Sequence, residues 1–112
     1  MAVTAMPEAR MLGEIRHLCD QFGLMFYHAR DSRSSGDPGL PDLVIAGPRG
    51  LIFRELKPQE GDLRWHQRRW FRVLRQARQS CEIWRPSDWF SGQVRRELEI
   101  IAAVDSTQLA LA

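Results

Sequence analysis

The first hydrophobic pattern in the chain repeats at helical spacing. Six apolar residues fall on one stripe when successive residues are placed about 100° apart, namely Met11, Leu12, Ile15, Leu18, Cys19 and Phe22. The stripe predicts an amphipathic helix over residues 5 to 22. Thr4 is placed to cap its start and Gly23 to end it.

The pattern then changes to short apolar runs separated by turn-forming residues. Residues 24 to 28 are rich in aromatic side chains and predict a strand, while residues 29 to 40 have the Ser, Gly, Asp and Pro content of a loop. Two further apolar runs, 42 to 46 and 51 to 57, flank the turn sequence Gly47-Pro48-Arg49-Gly50. They predict a β-hairpin that stops before Pro58.

Helical spacing returns in the second half, in a stripe formed by Leu63, Trp70, Phe71, Leu74 and Ala77. It predicts a helix over residues 63 to 79 with Asp62 as its cap. A strand at 81 to 84 and a helix from 87 to about 104 are expected to follow, and 105 to 112 to be a tail. The order α-β-β-β-α-β-α predicts one α/β domain, residues 1 to 104, in which helices flank a small mixed sheet.

Length and composition narrow the class of protein. A chain of 112 residues fits a single domain, and no apolar run approaches the ~20 residues of a membrane span. The first six residues lack signal-peptide features, so a cytoplasmic protein is expected. Cys19 and Cys81 have no partner at metal-site spacing and are expected to be buried thiols. The chain has no glycine-rich phosphate loop, which argues against a nucleotide cofactor.

Positive charge is concentrated in the middle of the chain. Between residues 54 and 78 there are eight basic and three acidic residues, so this stretch carries +5 although the whole chain carries only +2. Basic side chains recur on the second helix at Arg64, Arg68, Arg72 and Arg75, and in the loop at Arg30 and Arg33 with Ser32. Such positions suit phosphate contacts in DNA, but they are equally typical of a solvated helix face and a mobile loop. Trp65 is compatible with stacking on nucleic acid or with a subunit interface.

Polar residues at the ends of the hairpin strands suggest a catalytic site. Side chains alternate along a strand, so Glu55 and Lys57 share one face, and Asp42 is expected beside Glu55 across the hairpin. An acid and a lysine at a strand end often form only a surface ion pair. Two adjacent carboxylates, however, favour a hard divalent cation, and Mg²⁺ accepts two carboxylates with a backbone carbonyl and waters. With an ammonium group close by, this is a phosphodiesterase arrangement.

Three further polar residues are candidates for the site because of their positions, two within apolar helix stripes and one at the end of a strand. Glu8 lies about 25° and Gln67 about 30° from the centre of their helix stripes. Glu8 is therefore aimed at the sheet, unless it serves only the positive end of the helix dipole. Gln67 is expected to bind either a metal-bound water or the backbone. Of the three histidines, His28 is the one expected to point into a cleft, because it ends its strand beside the long loop.

The chain resembles the PD-(D/E)xK nuclease superfamily, and within it the VRR-NUC family. The resemblance covers about residues 8 to 89 and rests on three ordered motifs, which are Gly39-Leu40-Pro41-Asp42, Glu55-Leu56-Lys57 and Gln67 on the following helix. It implies a restriction-endonuclease-like core. The chain departs from the family at Arg54, where a strand residue is usually apolar, and ahead of Gln67, where a Ser/Thr-Pro start is common.

The resemblance also implies roles for individual residues. Asp42 and Glu55 would be carboxylate ligands of Mg²⁺ or Mn²⁺, the backbone carbonyl of Leu56 would be a further ligand, and Lys57 would be the catalytic lysine. Gln67 would match the family's helical glutamine. Glu8 would match the acidic residue of the first helix and is a further candidate ligand.

The function expected from these features is a metal-dependent DNA endonuclease. Family members include small stand-alone nucleases of bacteria and phages that resemble junction-resolving enzymes and can act as homodimers. We therefore expect a homodimer that cuts branched or four-way-junction (Holliday junction) DNA in replication, recombination or repair. The alternative is a non-catalytic nucleic-acid-binding or assembly module with the same fold, and RNA remains a possible substrate.

Overall fold

A computed structural model describes residues 6 to 29 and 36 to 103 of the chain. Within these ranges the helices are α1 (Glu8–Phe22), α2 (Trp65–Gln76), α3 (Pro86–Phe90) and α4 (Gln93–Ala102). The strands are β1 (Met25–His28), β2 (Leu43–Gly47), β3 (Gly50–Leu56) and β4 (Ser80–Trp84). The mixed α/β class predicted from the sequence is confirmed.

The four strands form one sheet in the order β1-β2-β3-β4. Strands β1 and β2 are antiparallel, and so are β2 and β3, which are joined by the predicted turn at residues 47 to 50. Strand β4 lies parallel to β3, and α2 makes the crossover between them. The short turn between β2 and β3 suits an antiparallel pair, whereas the parallel pair of β3 and β4 needs the helical crossover.

The main core lies between one face of the sheet and helices α1 and α4. The stripe of α1, except the partly buried Leu12, is buried there together with Leu98 of α4 and with Leu43 and Ile45 of β2. Each such side chain stabilises the fold by roughly 1.5–3 kcal/mol relative to an exposed position. Helix α2 lies on the opposite face, where it packs against β4 and buries Phe71.

Two helices begin later than predicted. Helix α1 begins at Glu8, after Pro7, and ends at Gly23 as predicted, in a left-handed conformation; the proposed cap Thr4 lies outside the described residues. Helix α2 begins at Trp65, not at residue 63, and Asp62 is not its cap. Asp62 instead accepts a hydrogen bond from the N–H of Leu63, two residues ahead of the helix.

The last helix was predicted as one segment over residues 87 to 104, and this is wrong. It is divided into α3 and α4 by Ser91 and Gly92. Gly92 has φ of +86°, a left-handed conformation that glycine adopts without steric cost. The break lets α4 turn back over the core, where Val94 and Leu98 are fully buried.

Arg54 is buried on the core face of β3 by an ion pair. Its Nε and Nη2 atoms donate to Oε1 of Glu97 in α4 at 2.9 and 2.8 Å. Its guanidinium group lies 5.4 Å from the ring centroid of Trp84, whose Nε1 also donates to Glu97. A charged residue is tolerated at this position because every polar group has a partner. The pair connects the strand that carries Glu55 to the C-terminal helix.

The sheet face that carries α2 is covered mainly on its β4 side. Directly paired residues point to the same face, and two rows across β1, β2 and β3 remain uncovered by described elements. These six residues, here called the apolar rows, are Met25, Ala46 and Leu51 in the first row and Tyr27, Val44 and Phe53 in the second. Met25 is 74%, Tyr27 62% and Leu51 41% exposed. Glu55 follows Phe53 by two residues, so the rows lead along the same face to the acidic pair.

The remaining predictions concern the cysteines, membrane-spanning helices and the C-terminal tail. Cys19 and Cys81 are buried free thiols as predicted, and burial raises the pKa of Cys19 to about 12 and that of Cys81 to about 11. None of the described helices combines the length and apolar character needed to cross a bilayer. The predicted boundary at residue 104 and the tail 105 to 112 lie outside the described residues.

Candidate nuclease site

Asp42 and Glu55 come together at one end of the hairpin. Asp42 directly precedes β2, and Glu55 is the penultimate residue of β3. The N–H of Asp42 donates to Oε1 of Glu55 at 3.1 Å, and the N–H of Leu56 donates to Oδ2 of Asp42 at 2.9 Å. These reciprocal hydrogen bonds hold the two carboxyl groups side by side, in the juxtaposition that strand alternation predicts.

Lys57 and Gln67 both approach the same oxygen of Glu55. The Nζ of Lys57 lies 3.6 Å from Oε2 of Glu55, and the Nε2 of Gln67 donates to that oxygen at 2.9 Å. The other end of the Gln67 amide, Oε1, accepts from the N–H of Arg64 at 2.8 Å. Gln67 therefore connects the start of α2 to the Glu55 carboxylate. The sequence left open whether this residue binds a metal-bound water or the backbone, and the structure shows the backbone contact.

The surroundings make the two carboxyl groups difficult to ionise together. Burial, and secondly the negative charge of Asp42, raise the pKa of Glu55 to about 7, although Lys57 opposes the shift. Burial also raises the pKa of Asp42, opposed by the Leu56 N–H and by the charges of His28 and Lys57. A positive ion beside the pair would relieve both the repulsion and the loss of solvation.

The donor atoms of the pair suit a hard divalent cation. Mg²⁺ and Mn²⁺ prefer oxygen ligands, and Mg²⁺ is commonly held by one or two carboxylates with waters. The residues present thus fit Mg²⁺ or Mn²⁺, with the backbone carbonyl of Leu56 as the next candidate ligand. No third His, Cys, Asp or Glu joins them among the described residues.

A cavity of about 200 Å³ lies beside the lysine. Its lining includes Lys57 and Leu56 on one side and Met11 and Glu8 of α1 on the other. Glu8, in the first turn of α1, is exposed and lines this cavity. It does not join the acidic pair in the described part of the chain. His28 is half-buried at the end of β1, on the Asp42 side of the site.

The arginines of α2 are not all available for phosphate. Arg68 forms an ion pair with Asp62 at 2.8 Å, and Arg75 forms one with Glu82 at 2.8 Å. Arg64 and Arg72 are exposed. The predicted basic face is thus partly neutralised, because it borders β4 and the loop ahead of α2. The other predicted contacts, Arg30, Ser32 and Arg33, lie outside the described residues.

Arg69 of α2 was not among the functional residues predicted from the sequence. Arg69 lies one helical turn after Trp65, and the two side chains line the same cavity. The four-residue spacing was the available signal, since residues i and i+4 are neighbours on a helix. The predicted basic face comprised other residues of the helix, namely Arg64, Arg68, Arg72 and Arg75.

The described domain is a mixed sheet flanked by helices, with Asp42, Glu55 and Lys57 at one end of its central hairpin and Gln67 of α2 hydrogen-bonded to Glu55. Comparisons with known proteins bear on this fold. No family model and no curated protein matches the chain. Among solved structures, the chain is similar to a VRR_NUC domain protein, with a TM-score of 0.54 and 13% identity over 79% of this chain and 88% of that one. At this identity the likeness is one of fold, and it agrees with the fold expected from the motifs.

Proposed function

We propose that this chain is a VRR-NUC-like nuclease of the PD-(D/E)xK type that hydrolyses phosphodiester bonds with Mg²⁺ or Mn²⁺. The observation that carries the proposal is the convergence of Asp42, Glu55 and Lys57, linked by contacts of 3.1 and 3.6 Å, with Lys57 also lining a cavity. A surface ion pair does not account for this arrangement, because Glu55 is buried and its pKa is raised to about 7.

Each side chain has a distinct chemical task. The ammonium group of Lys57 stabilises the negative charge that develops on the phosphoryl oxygens in the transition state. Gln67 orients Glu55, and the backbone N–H groups of Asp42 and Leu56 orient the two carboxylates. A bound divalent cation would polarise the phosphoryl oxygen and lower the pKa of the attacking water. Glu8 lines the cavity beside Lys57 and does not join the acidic pair among the described residues, so we assign it no chemical task.

DNA is the proposed substrate, and branched DNA of replication, recombination or repair is the proposed class. Exposed guanidinium groups at Arg64, Arg69 and Arg72 provide sequence-independent contacts with a phosphate backbone. Symmetric cutting of a four-way junction needs two active sites, and a homodimer would supply them.

The apolar rows are the proposed centre of that dimer. Three strands and two rows span roughly 200 Å² in projection, whereas a stable dimer buries about 800 Å² from each subunit. The rows would thus supply the apolar centre of the interface and neighbouring residues its rim. A second copy is favoured over DNA as the occupant because none of the six side chains is charged. The rows also continue to Asp42 and Glu55, so pairing through them would bring two sites to one interface.

The function is tested by incubating the protein with four-way-junction, flap, linear duplex and single-stranded DNA, and with matched RNA. We expect phosphodiester cleavage with Mg²⁺ or Mn²⁺, no cleavage in excess chelator, and preference for branched DNA. A non-catalytic module would bind these substrates and leave them intact at every metal concentration. Preferential cleavage of RNA would reassign the substrate but retain the chemistry.

Tyr27→Glu is expected to weaken self-association by more than about 100-fold, because each subunit would bury an unpaired carboxylate. Sedimentation velocity over a concentration series measures the change, with Tyr27→Phe as the matched control. The monomeric variant should still nick DNA but lose paired incision of junctions. An unchanged dimer in Tyr27→Glu, or a wild-type protein that stays monomeric, would remove the apolar rows from the interface.

A further inference from the structure

A second cavity, of about 170 Å³, lies between α2 and the segment that leads into Asp42. Its walls are mostly planar side chains, and its lining includes Trp65, His66, Trp70 and Pro38 with Arg69 and Asp37 at polar positions. Trp65 is 73% exposed, so one wall is an aromatic ring presented to solvent. An apolar cavity of roughly 150 Å³ is known to hold one benzene ring. The space thus fits one planar ring system and is too small for a base pair.

The walls of this cavity are held in place by contacts within the chain. The Nε1 of Trp70 donates to the carbonyl of Asp37 at 3.2 Å. Gly39 has φ of +102°, and a Cβ there would lie 2.5 Å from the carbonyl oxygen of His66, so the segment fits closely against α2 only as glycine. The rings of Trp65 and His66 meet edge to face at 5.5 Å. A preorganised cavity of this kind orders a ligand at little cost in entropy.

The cavity is formed by the same two chain segments that carry residues of the candidate nuclease site. On α2, His66 lines the cavity while the next residue, Gln67, donates to Glu55. On the other wall, Asp37 and Pro38 belong to the segment that continues directly into Asp42. A nucleotide in the cavity would therefore belong to the same strand region as the phosphate at the acidic pair.

We propose that this cavity receives one unpaired nucleobase of the nucleic acid that the site cuts, with Trp65 as the stacking surface and Arg69 as a contact to the adjacent phosphate. The inference rests on the proposed function and names its substrate class, which is nucleic acid with an unpaired nucleotide near the scissile bond. Stacking on an aromatic side chain strengthens binding by roughly 5- to 150-fold per base. Extruding a base from an intact pair costs about as much. The cavity therefore selects bases that are already unpaired, as at junctions, flaps and single strands.

The experiment uses the full chain carrying Lys57→Ala, so that substrates stay intact, and a DNA in which 2-aminopurine occupies an unpaired position beside a branch. We expect quenching of the 2-aminopurine emission on binding, and tighter binding of this DNA than of a perfect duplex. Adding Trp65→Ala should abolish the quenching and lower the preference for unpaired DNA by about tenfold or more. Phe90→Ala, which removes an exposed aromatic ring from α3, should leave both unchanged.

Three results would overturn the proposal, and they separate it from the proposed function. If the protein cuts DNA but Trp65→Ala retains the quenching and the preference, only the nucleobase cavity is wrong. If Trp65→Ala disrupts self-association in sedimentation and leaves DNA binding intact, the ring belongs to a subunit contact. If the protein neither binds nor cuts any nucleic acid, both proposals are wrong.

Discussion

Lys57→Ala is expected to lower the rate of phosphodiester cleavage by about 10³-fold while leaving DNA bound. The ammonium group is 3.6 Å from Glu55 and largely shielded from solvent, and no other basic side chain of the described residues forms an ion pair with Glu55. Its removal also eliminates the principal attraction that keeps Glu55 ionised. Single-turnover cleavage of a junction at saturating Mg²⁺ measures the effect on chemistry, and gel-shift titration measures binding.

Two controls separate the loss of the Lys57 charge from a structural effect of the substitution. Arg49→Ala removes one positive charge from the exposed turn between β2 and β3, and it should cut at the wild-type rate. Because the cavity of about 200 Å³ borders Lys57, added ethylammonium should restore part of the activity of Lys57→Ala but not of Asp42→Asn. Wild-type cleavage by Lys57→Ala would show that the lysine has no part in the chemistry.

The metal-free protein is expected to lose about 3 kcal/mol of its free energy of unfolding between about pH 4 and pH 8 through Glu55. The pKa of Glu55 is about 7 in the folded chain and 4.5 when unperturbed. The folded state therefore holds the proton more tightly than the unfolded state. The stability from this residue is complete below pH 4.5 and is lost as the pH rises through 7. The raised pKa of Asp42 acts in the same direction.

Denaturant titrations at a series of pH values, with and without Mg²⁺, measure this dependence. Glu55→Gln cannot ionise, and its profile should lack the fall in stability that the wild-type profile contains. Mg²⁺ should stabilise the wild-type protein more at pH 8 than at pH 5, because the ion binds the deprotonated ligands of the folded state. Parallel profiles for wild type and Glu55→Gln, or an equal effect of Mg²⁺ at both pH values, would contradict the assignment.

The central hairpin was predictable because its signals are local. The turn sequence at residues 47 to 50 fixes the connection, and the two-residue alternation of a strand then fixes which side chains share a face. The proximity of Asp42 to Glu55 and Lys57 follows directly from these two rules. Gln67 required more, since its place beside Glu55 depends on how α2 packs on the sheet.

Other features depend on contacts that leave no local signal. A glycine inside a helical pattern costs only about 1 kcal/mol, so periodicity alone carries a helix through Gly92. The helix is interrupted at Gly92 because α4 packs over the core, and that tertiary contact has no local signal in the sequence. In the same way, Arg54 looks like an exposed strand residue until Glu97, more than forty positions later, arrives beside it.

The buried pair of Arg54 and Glu97 also constrains how this sequence can diverge. Replacing either residue alone would leave the other as a buried charge without a partner, at a cost of about 3–5 kcal/mol. Loss of Glu97 would also remove the acceptor of the Trp84 Nε1–H. The two positions are therefore expected to co-vary among descendants of this chain. A change at one position therefore requires a change at the other, because the pair holds the strand that carries Glu55 against the C-terminal helix.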